Sequence, residues 1–323
     1  MIIETLSTFP GMYDSVMGAS MMRRAQDKGI LDFTAYDLRD WTYDRHRTTD
    51  DDPYGGGAGL VMKCEPLFEA VEAIAGMGVE DPASAEEPGG RGARPPSEFT
   101  PRVLPRCAQG ATREWNSPVG CSTERGLSER LDVPPAPRAD ESAGSRTPAC
   151  APTGPAPRHA DGPRPTVVFL APQGRRFDDA LASELAAEER LLFVCGHYEG
   201  IDERAYALAD VVISLGDYVL TSGELASMVV IDAVVRKLPG VLGAADGAAD
   251  ESFASGLLEY PQYTRPAVFR GAEVPAVLLS GDHGAVARWR REQSLARTAA
   301  LRPDLLEGVP LTPDDRKFLE NLG

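Results

Sequence analysis

Apolar residues form short continuous runs along this chain, and each run ends in a segment that contains glycine or proline. Three such runs occupy residues 166–170, 190–195 and 210–214, and the loops 171–174, 196–200 and 215–223 follow them. Continuous apolar strands that alternate with helical segments are typical of a parallel sheet covered on both faces. Because ligands bind such sheets beyond the carboxyl ends of their strands, the pattern predicts that these three loops form one site.

Further patterns predict the elements around these strands. Strands are expected at residues 2–6 and 31–36, and helices from Pro10 to about Lys28 and over 65–75. Apolar residues recur at helical spacing from Glu224 to Leu238. The sequence therefore predicts an α/β domain over 1–242, a glycine-bearing flexible linker over 243–252 and a smaller, mainly helical domain over 253–323.

Residues 76–165 differ from their flanks in composition. This stretch holds 16 of the 27 prolines and 11 of the 32 glycines of the chain. Leu, Ile, Val and Phe are scarce in it, so it cannot bury enough apolar surface to offset the entropy lost on ordering. We interpret it as a long disordered insertion within the α/β domain, with a small binding module as the alternative.

Composition and charge exclude several classes of protein. The 323 residues carry a net charge of −16, which argues against binding nucleic acid mainly through non-specific charge. No apolar run is long enough for a membrane helix, and no secretory signal is visible, so no membrane partner is expected. Five scattered Cys form no CxxC pair, which favours a reduced cytoplasm. Dinucleotide, P-loop and HExxH motifs are missing, and we predict no metal ligands.

Glycine-rich loops at strand ends let the backbone approach a ligand closely. Here they occur among longer motifs that together resemble the bacterial tRNA (guanine-N1)-methyltransferases, which modify the guanine 3′ to the anticodon. The resemblance covers nearly the whole chain outside 76–165. The motifs are, in order, FP at 9–10, DRHRT at 44–48, PYGGG at 53–57, PQG at 172–174, CGHYEGIDER at 195–204, GDYVL at 216–220, GLL at 256–258, YTRP at 263–266, VPAVLLSG at 274–281 and WRREQS at 289–294.

The resemblance implies a SPOUT fold, which is an α/β domain whose parallel sheet contains a deep trefoil knot. It also implies a homodimer, S-adenosylmethionine as methyl donor, tRNA as partner and magnesium as a candidate helper. His197 and Ser222 depart from the family pattern, which often has Arg and Gly there. We expect Ser222 to be strained in a left-handed conformation and its hydroxyl to crowd the ligand, which would lower the affinity for the donor. The resemblance assigns donor binding to twelve residues: Leu170, Ala171, Pro172, Gly196, Tyr198, Glu199, Leu215, Gly216, Asp217, Tyr218, Val219 and Leu220.

Methylation of a guanine ring nitrogen needs a base that removes its proton and a cation that stabilises charge on the neighbouring carbonyl oxygen. The family assigns these roles to an Asp before a Ser-Phe pair and to an Arg fifteen residues upstream. Here Glu251 precedes Ser-Phe, Asp250 lies beside it, and Arg236 is fifteen residues upstream. Glu251 or Asp250 is therefore the predicted base. Without the resemblance, the residues favour an ion pair of Arg236 with Asp232 and a solvated acidic loop.

Positive charge concentrates in the C-terminal domain, which the resemblance predicts to grip tRNA. It includes Arg288, Arg290, Arg291, Arg297 and Arg302, with Trp289 among them as an expected core residue. The runs at 44–47 and 54–57 are predicted contacts with tRNA or with a partner subunit, or else solvated turns. Two other functions stay open. One is a SPOUT enzyme that methylates ribosomal RNA or a ribose hydroxyl, and the other is a non-catalytic RNA-binding protein that keeps the cofactor pocket.

Overall fold

The computed structural model describes residues 1–76, 156–242 and 251–322. Most of the predicted insertion and linker, with Asp250, lies outside these ranges. In the α/β domain, short 3₁₀ segments at 10–13, 38–41 and 203–208 connect the main elements. These elements are β1 (Ile2–Ser7), α1 (Asp14–Met17), α2 (Ser20–Asp27), β2 (Asp32–Asp37), β3 (Asp50–Asp51), β4 (Val61–Met62), α3 (Cys64–Ala75), β5 (Thr166–Arg176), α4 (Asp179–Ala186), β6 (Arg190–Val194), β7 (Val211–Ser214) and α5 (Gly223–Val235).

Five strands form one parallel sheet in the order β2-β1-β6-β5-β7. The first half of β5 and most of β6 and β7 are apolar on both sides because each face of the sheet is covered. One face packs against α2, α4 and α5 around Phe193, and the other packs against α3 around Phe169. The prediction of an α/β protein with a covered parallel sheet is confirmed.

The first helical region is shorter and more broken than the sequence predicts. Instead of one helix to Lys28, the chain forms a 3₁₀ turn, α1 and α2. At the break, a Cβ on Gly18 would lie 2.6 Å from the carbonyl oxygen of Asp14, and Ser20 has a φ of 46°. A continuous helix therefore cannot pass this point.

Strand β5 is longer than predicted and is interrupted beside β7. Both Leu170 and Arg175 pair with Ile213, so residues 171–174 loop out of the ladder. A Cβ on Gly174 would lie 2.5 Å from the backbone nitrogen of Ile213. Only glycine fits this approach, and the excursion leaves 171–172 free at the edge of the sheet.

The C-terminal part contains a two-stranded hairpin and helices: β8 (Val268–Phe269), β9 (Ala272–Glu273), α6 (Ala276–Leu279), α7 (His283–Leu301) and α8 (Pro313–Glu320). The two carboxylate oxygens of Asp315 accept hydrogen bonds from Arg291 at 3.2 and 2.9 Å, which joins α8 to α7. This contact lowers the pKa of Asp315 to about 2. Trp289 is only half-buried, with its ring 6.3 Å from that of Tyr263. No described helix is both long and apolar enough to span a bilayer.

A buried arginine ties the sheet to the two flanks of the insertion. Arg190 is 1% exposed, and its guanidinium lies 2.8 Å from the Glu4 carboxylate. It also donates to the carbonyl of Ile74 at the end of α3 and to those of His159 and Pro163. All three guanidinium nitrogens are therefore hydrogen-bonded, which a buried charge requires.

Residues 156–165 belong to the described structure, although the sequence places them in the disordered insertion. Besides the two carbonyls that meet Arg190, the backbone N–H of Arg158 donates to the hydroxyl of Tyr36 at 3.0 Å. His159 lies 3.3 Å from Asp32. Gly76, the last residue described before the gap, is in contact with Ala160. The chain thus leaves and re-enters the domain at one place, so an insertion here need not separate the sheet from α3.

We expect Arg190→Met to lower the free energy of unfolding by about 3–5 kcal/mol, because it leaves the buried Glu4 carboxylate without its partner. Urea unfolding followed by circular dichroism measures this change. Arg175→Met is the matched control, because the Arg175–Glu184 pair is half-exposed and is worth less than about 1 kcal/mol. Equal effects of the two substitutions would contradict a central role for Arg190.

Two deletions test how far the insertion extends. We expect removal of 77–155, with a short Gly-Ser joint, to leave the unfolding transition unchanged, because Gly76 and Ala160 are already in contact. Removal of 76–165 should destabilise the protein, because Arg190 loses two carbonyl partners. Thermal unfolding of both variants measures the difference, and equal melting temperatures would refute it.

Candidate functional site

A pocket of about 180 Å³ opens where the carboxyl ends of β5, β6 and β7 meet the start of α5. Its walls come from the three loops that the sequence predicts to converge. Strand β5 lies between β6 and β7, and all three are parallel, so their carboxyl ends lie along the same edge of the sheet. The prediction that these loops form one site is therefore consistent with the geometry.

Eleven of the twelve residues predicted to bind the donor line this pocket: Leu170, Ala171, Pro172, Gly196, Tyr198, Glu199, Leu215, Gly216, Tyr218, Val219 and Leu220. Asp217 does not line it, and its side chain is exposed. Residues 216–218 form a tight bend, in which the backbone N–H of Tyr218 donates to the carbonyl of Gly216 at 2.9 Å, and Asp217 lies at the centre of this bend on the solvent side.

Sequence reasoning missed several lining residues. Ten residues outside the predicted set complete the wall: His197, Gly200, Ile201, Tyr206, Ile213, Ser214, Thr221, Ser222, Gly223 and Ala226. The predicted start of a helix near Gly223 is a signal that could have identified Gly223 and Ala226, because the first turn of that helix directly follows the third loop.

The second loop is held by a segment distant in sequence. Met62 donates its backbone N–H to the carbonyl of Gly200, and its own carbonyl accepts from Asp202, both at 3.0 Å. A Cβ on Gly59 would lie 2.2 Å from the Glu199 side chain. The segment from Gly59 to Met62 thus packs on this loop, whereas residues 54–57 are exposed. Tyr198 adopts a φ of 60°, a conformation that non-glycine residues rarely adopt and that often occurs at ligand sites.

Helix α5 begins in direct backbone contact with the end of β6. Gly223 donates its N–H to the carbonyl of Gly196 at 2.7 Å, and a Cβ on Gly223 would lie 2.7 Å from the Gly196 nitrogen. Ser222 precedes this contact with φ −157° and ψ 148°. The expectation of a left-handed, strained Ser222 is therefore wrong, because the close approach requires glycine at 223 and leaves extended backbone at 222.

A buried polar cluster supports the floor of the pocket from behind. The Tyr13 hydroxyl lies 2.6 Å from that of Ser227 and 3.1 Å from the Cys195 sulfur. Ser227 donates to the carbonyl of Glu224, and Ser7 donates to the Glu224 carboxylate. Burial raises the pKa of Cys195 to about 12 and raises that of Tyr13 as well. Both groups stay protonated and act as donors that fasten α5 to the sheet.

The pocket has a distinctive charge pattern. Among its lining residues, Glu199 is the one acidic side chain, and Lys and Arg are absent. A phosphate-bearing ligand would call for cationic side chains, whereas a carboxylate suits a ligand with positive charge. Two polar atoms in the wall, the Ser222 hydroxyl and His197 Nδ1, are buried without a partner among the described residues.

Arg236 and Glu251, the two predicted catalytic residues that the structure describes, are in contact. Arg236 donates a short hydrogen bond to Glu251, and this bond raises the pKa of the guanidinium. Both side chains are 38% exposed. The backbone N–H of Arg236 donates to the carbonyl of Asp232 at 3.1 Å, but the Asp232 carboxylate makes no hydrogen bond or ion pair with the described guanidinium. The structure therefore pairs Arg236 with Glu251 rather than with Asp232, and the catalytic roles of the two residues stay a prediction.

The Arg236–Glu251 pair lies far from the pocket of its own chain. Ala226 lines the pocket from the first turn of α5, whereas Arg236 caps the other end of this helix. Ten residues of helix span about 15 Å. A substrate atom held against the pocket loops would therefore not reach the same chain's pair. Among the described residues, no three His, Cys, Asp or Glu side chains cluster as metal ligands.

Comparison with known proteins agrees with these motifs. The family tRNA (Guanine-1)-methyltransferase TrmD matches residues 1–86 and 150–308. Proteins named tRNA (guanine-N(1)-)-methyltransferase from Moorella thermoacetica and Geotalea uraniireducens are 41% and 40% identical over 323 residues, covering 100% of this chain and 96% and 97% of theirs. The protein of that name from Symbiobacterium thermophilum is 41% identical, covering 99% of this chain and 97% of its own. The chain belongs to the tRNA (Guanine-1)-methyltransferase family.

Proposed function

We propose that this enzyme, a tRNA methyltransferase, transfers the methyl group of S-adenosylmethionine to N1 of the guanine at position 37, 3′ to the tRNA anticodon. Family membership supports methylation of guanine N1 in tRNA. The single structural observation that carries the proposal is the convergence of eleven predicted donor-binding residues on one pocket. Because the substrate is tRNA, the cytoplasm is the proposed place of action.

The pocket suits S-adenosylmethionine in its chemistry. Backbone groups of the third loop, from Leu215 to Leu220, offer donors and acceptors to an adenine edge and to ribose hydroxyls. Glu199 supplies the negative charge that a sulfonium or an ammonium group favours. When bound, the donor supplies an electrophilic methyl group on a sulfur that leaves readily. Positioning by the loops is then the main task of the protein.

The predicted roles of Arg236 and Glu251 follow from the needs of the guanine. Its N1 carries a proton, which Glu251 accepts while the methyl group arrives, and its O6 gains negative charge, which Arg236 stabilises. Their contact orients the Glu251 carboxylate toward the same substrate edge as the Arg236 guanidinium. Asp250 is the alternative base and lies outside the described residues.

We propose a homodimer because the two halves of the reaction are separated within one chain. About 15 Å of helix α5 lie between the pocket and the Arg236–Glu251 pair, so a second copy must bring its pair to the first copy's pocket. Exposed apolar side chains near the pocket provide a surface for this partner. They include Met12, Val16, Val219, Leu225 and Val229.

The deep trefoil knot is proposed for the region of β5, β6 and β7. The excursion of 171–174 out of the sheet and the close approach of Gly223 to Gly196 support this proposal, because they bring the three loops together.

The flexible linker at 243–252 and tRNA binding by the C-terminal helices remain proposals as well. In those helices Arg288 is exposed, whereas Arg291 and Arg302 are paired with Asp315 and Asp304. Help from magnesium rests on the family resemblance alone.

Methyl transfer from radiolabelled S-adenosylmethionine to unmodified tRNA transcripts tests the substrate assignment. We expect label on a transcript with guanine at position 37 and almost none when adenine replaces it, because only guanine has a proton on N1 beside a carbonyl. Equal labelling would refute position 37. Label on a ribose would favour another SPOUT activity, and no label on either transcript would favour the non-catalytic alternative.

Arg236→Ala should lower turnover by about 100- to 1000-fold, because the charge on O6 loses its stabilising cation. Donor affinity measured by calorimetry should stay unchanged, because Arg236 lies outside the pocket. A loss of donor binding instead would contradict the assigned role.

Mixed dimers test whether the site is shared. Ala226→Leu fills the pocket, so its homodimer should be folded but unable to bind donor. A dimer of one Arg236→Ala chain and one Ala226→Leu chain retains one complete composite site, so it should recover about half of the wild-type rate. An inactive mixed dimer would show that each chain uses its own pair.

A further inference from the structure

Ser222 lies in the wall of the pocket with a hydroxyl that has no partner. The residue is 6% exposed, and its Oγ makes no hydrogen bond to any described residue. A buried hydroxyl without a partner is unfavourable, and the large majority of buried polar side chains are hydrogen-bonded. A ligand atom that formed a hydrogen bond with the Ser222 hydroxyl would therefore remove this unfavourable feature of the wall.

The position of Ser222 in the helix makes its free hydroxyl more notable. It is the N-cap residue of α5, where a serine normally accepts a hydrogen bond from the first turn. Asp178, Asp282 and Thr312 do this at α4, α7 and α8, with distances of 2.8, 3.0 and 3.1 Å. Ser222 does not cap its own helix, so its hydroxyl is available to another group.

The surroundings of Ser222 indicate which part of a ligand it would contact. It follows directly on the third loop, whose lining residues 215–220 present backbone groups and uncharged side chains to the pocket. Glu199, the lone charged lining residue, belongs to the second loop. An uncharged hydroxyl beside uncharged backbone groups matches a nucleobase or a ribose better than a charged amino-acid group.

We infer that Ser222 is a donor-binding residue of this chain whose hydroxyl forms a hydrogen bond with the nucleoside half of the methyl donor. This inference rests on the proposed donor, S-adenosylmethionine. It reverses the expectation that the hydroxyl crowds the ligand, because extended backbone at 222 carries no strain and the hydroxyl lacks any other partner. The hydrogen bond involves no covalent step and adds affinity rather than catalysis.

Calorimetric titration of the full-length protein tests this inference with two probes, S-adenosylmethionine and 5′-methylthioadenosine, which lacks the amino-acid group. We expect Ser222→Ala to weaken the binding of both probes by about 3- to 10-fold, and Ser222→Gly to do the same. Thr5→Val is the matched control, because the Thr5 hydroxyl is also buried without a partner but does not line the pocket. It should leave both affinities unchanged, and thermal unfolding without ligand should show that all three variants are folded.

Each other outcome has a defined meaning. Unchanged binding by Ser222→Ala would overturn the inference, and tighter binding would overturn it and show in addition that the hydroxyl crowds the donor. Weaker binding of S-adenosylmethionine alone would overturn the assignment to the nucleoside half. If the wild-type protein bound neither probe, the proposed donor itself would fail, and this result is distinct from failure of the Ser222 inference.

Discussion

The contact between Gly223 and Gly196 is the constraint on which the site depends. A hydrogen bond of 2.7 Å joins their backbones, and no side chain fits between them. This contact brings the start of α5 against the end of β6, so the second and third loops become two walls of one pocket. The buried hydroxyls and thiol of Tyr13, Ser227 and Cys195 then hold the helix in place from the side of the core.

A second constraint lies at the other end of the strands, where β6 begins at Arg190. Arg190 is fully buried, and the cost of burying its charge is offset only when Glu4 and three backbone carbonyls surround it. One of these carbonyls, that of Ile74, comes from the chain before residues 77–155, and the other two, those of His159 and Pro163, come from the chain after them. The same network therefore joins the strands, the end of α3 and the re-entry of the chain, which explains how a long insertion is compatible with a closed core.

The length of α5 separates the pocket from the Arg236–Glu251 pair. Its first turn lines the pocket through Ala226, whereas Arg236 contacts the Glu251 carboxylate at the other end of the helix, about 15 Å from Ala226. A rigid helix cannot shorten this distance. In the proposed homodimer, a second copy brings its Arg236–Glu251 pair to the first copy's pocket, and the exposed apolar side chains near the pocket form the surface between the two copies.

The sequence by itself determined the α/β class, the strands of the main sheet and the convergence of the three loops. A continuous apolar run shows that a strand is buried on both faces, and a glycine at its end shows where the backbone can approach another group closely, so both signals can be read from neighbouring residues alone. The motifs also identified eleven of the lining residues. Only the tertiary structure decided that Asp217 points away, that Ser222 is extended and unpartnered, and that Gly59 and Met62 support the second loop. It likewise showed that residues 156–165 are part of the fold. These features depend on contacts between segments far apart in sequence, and no local pattern of residues encodes such distances.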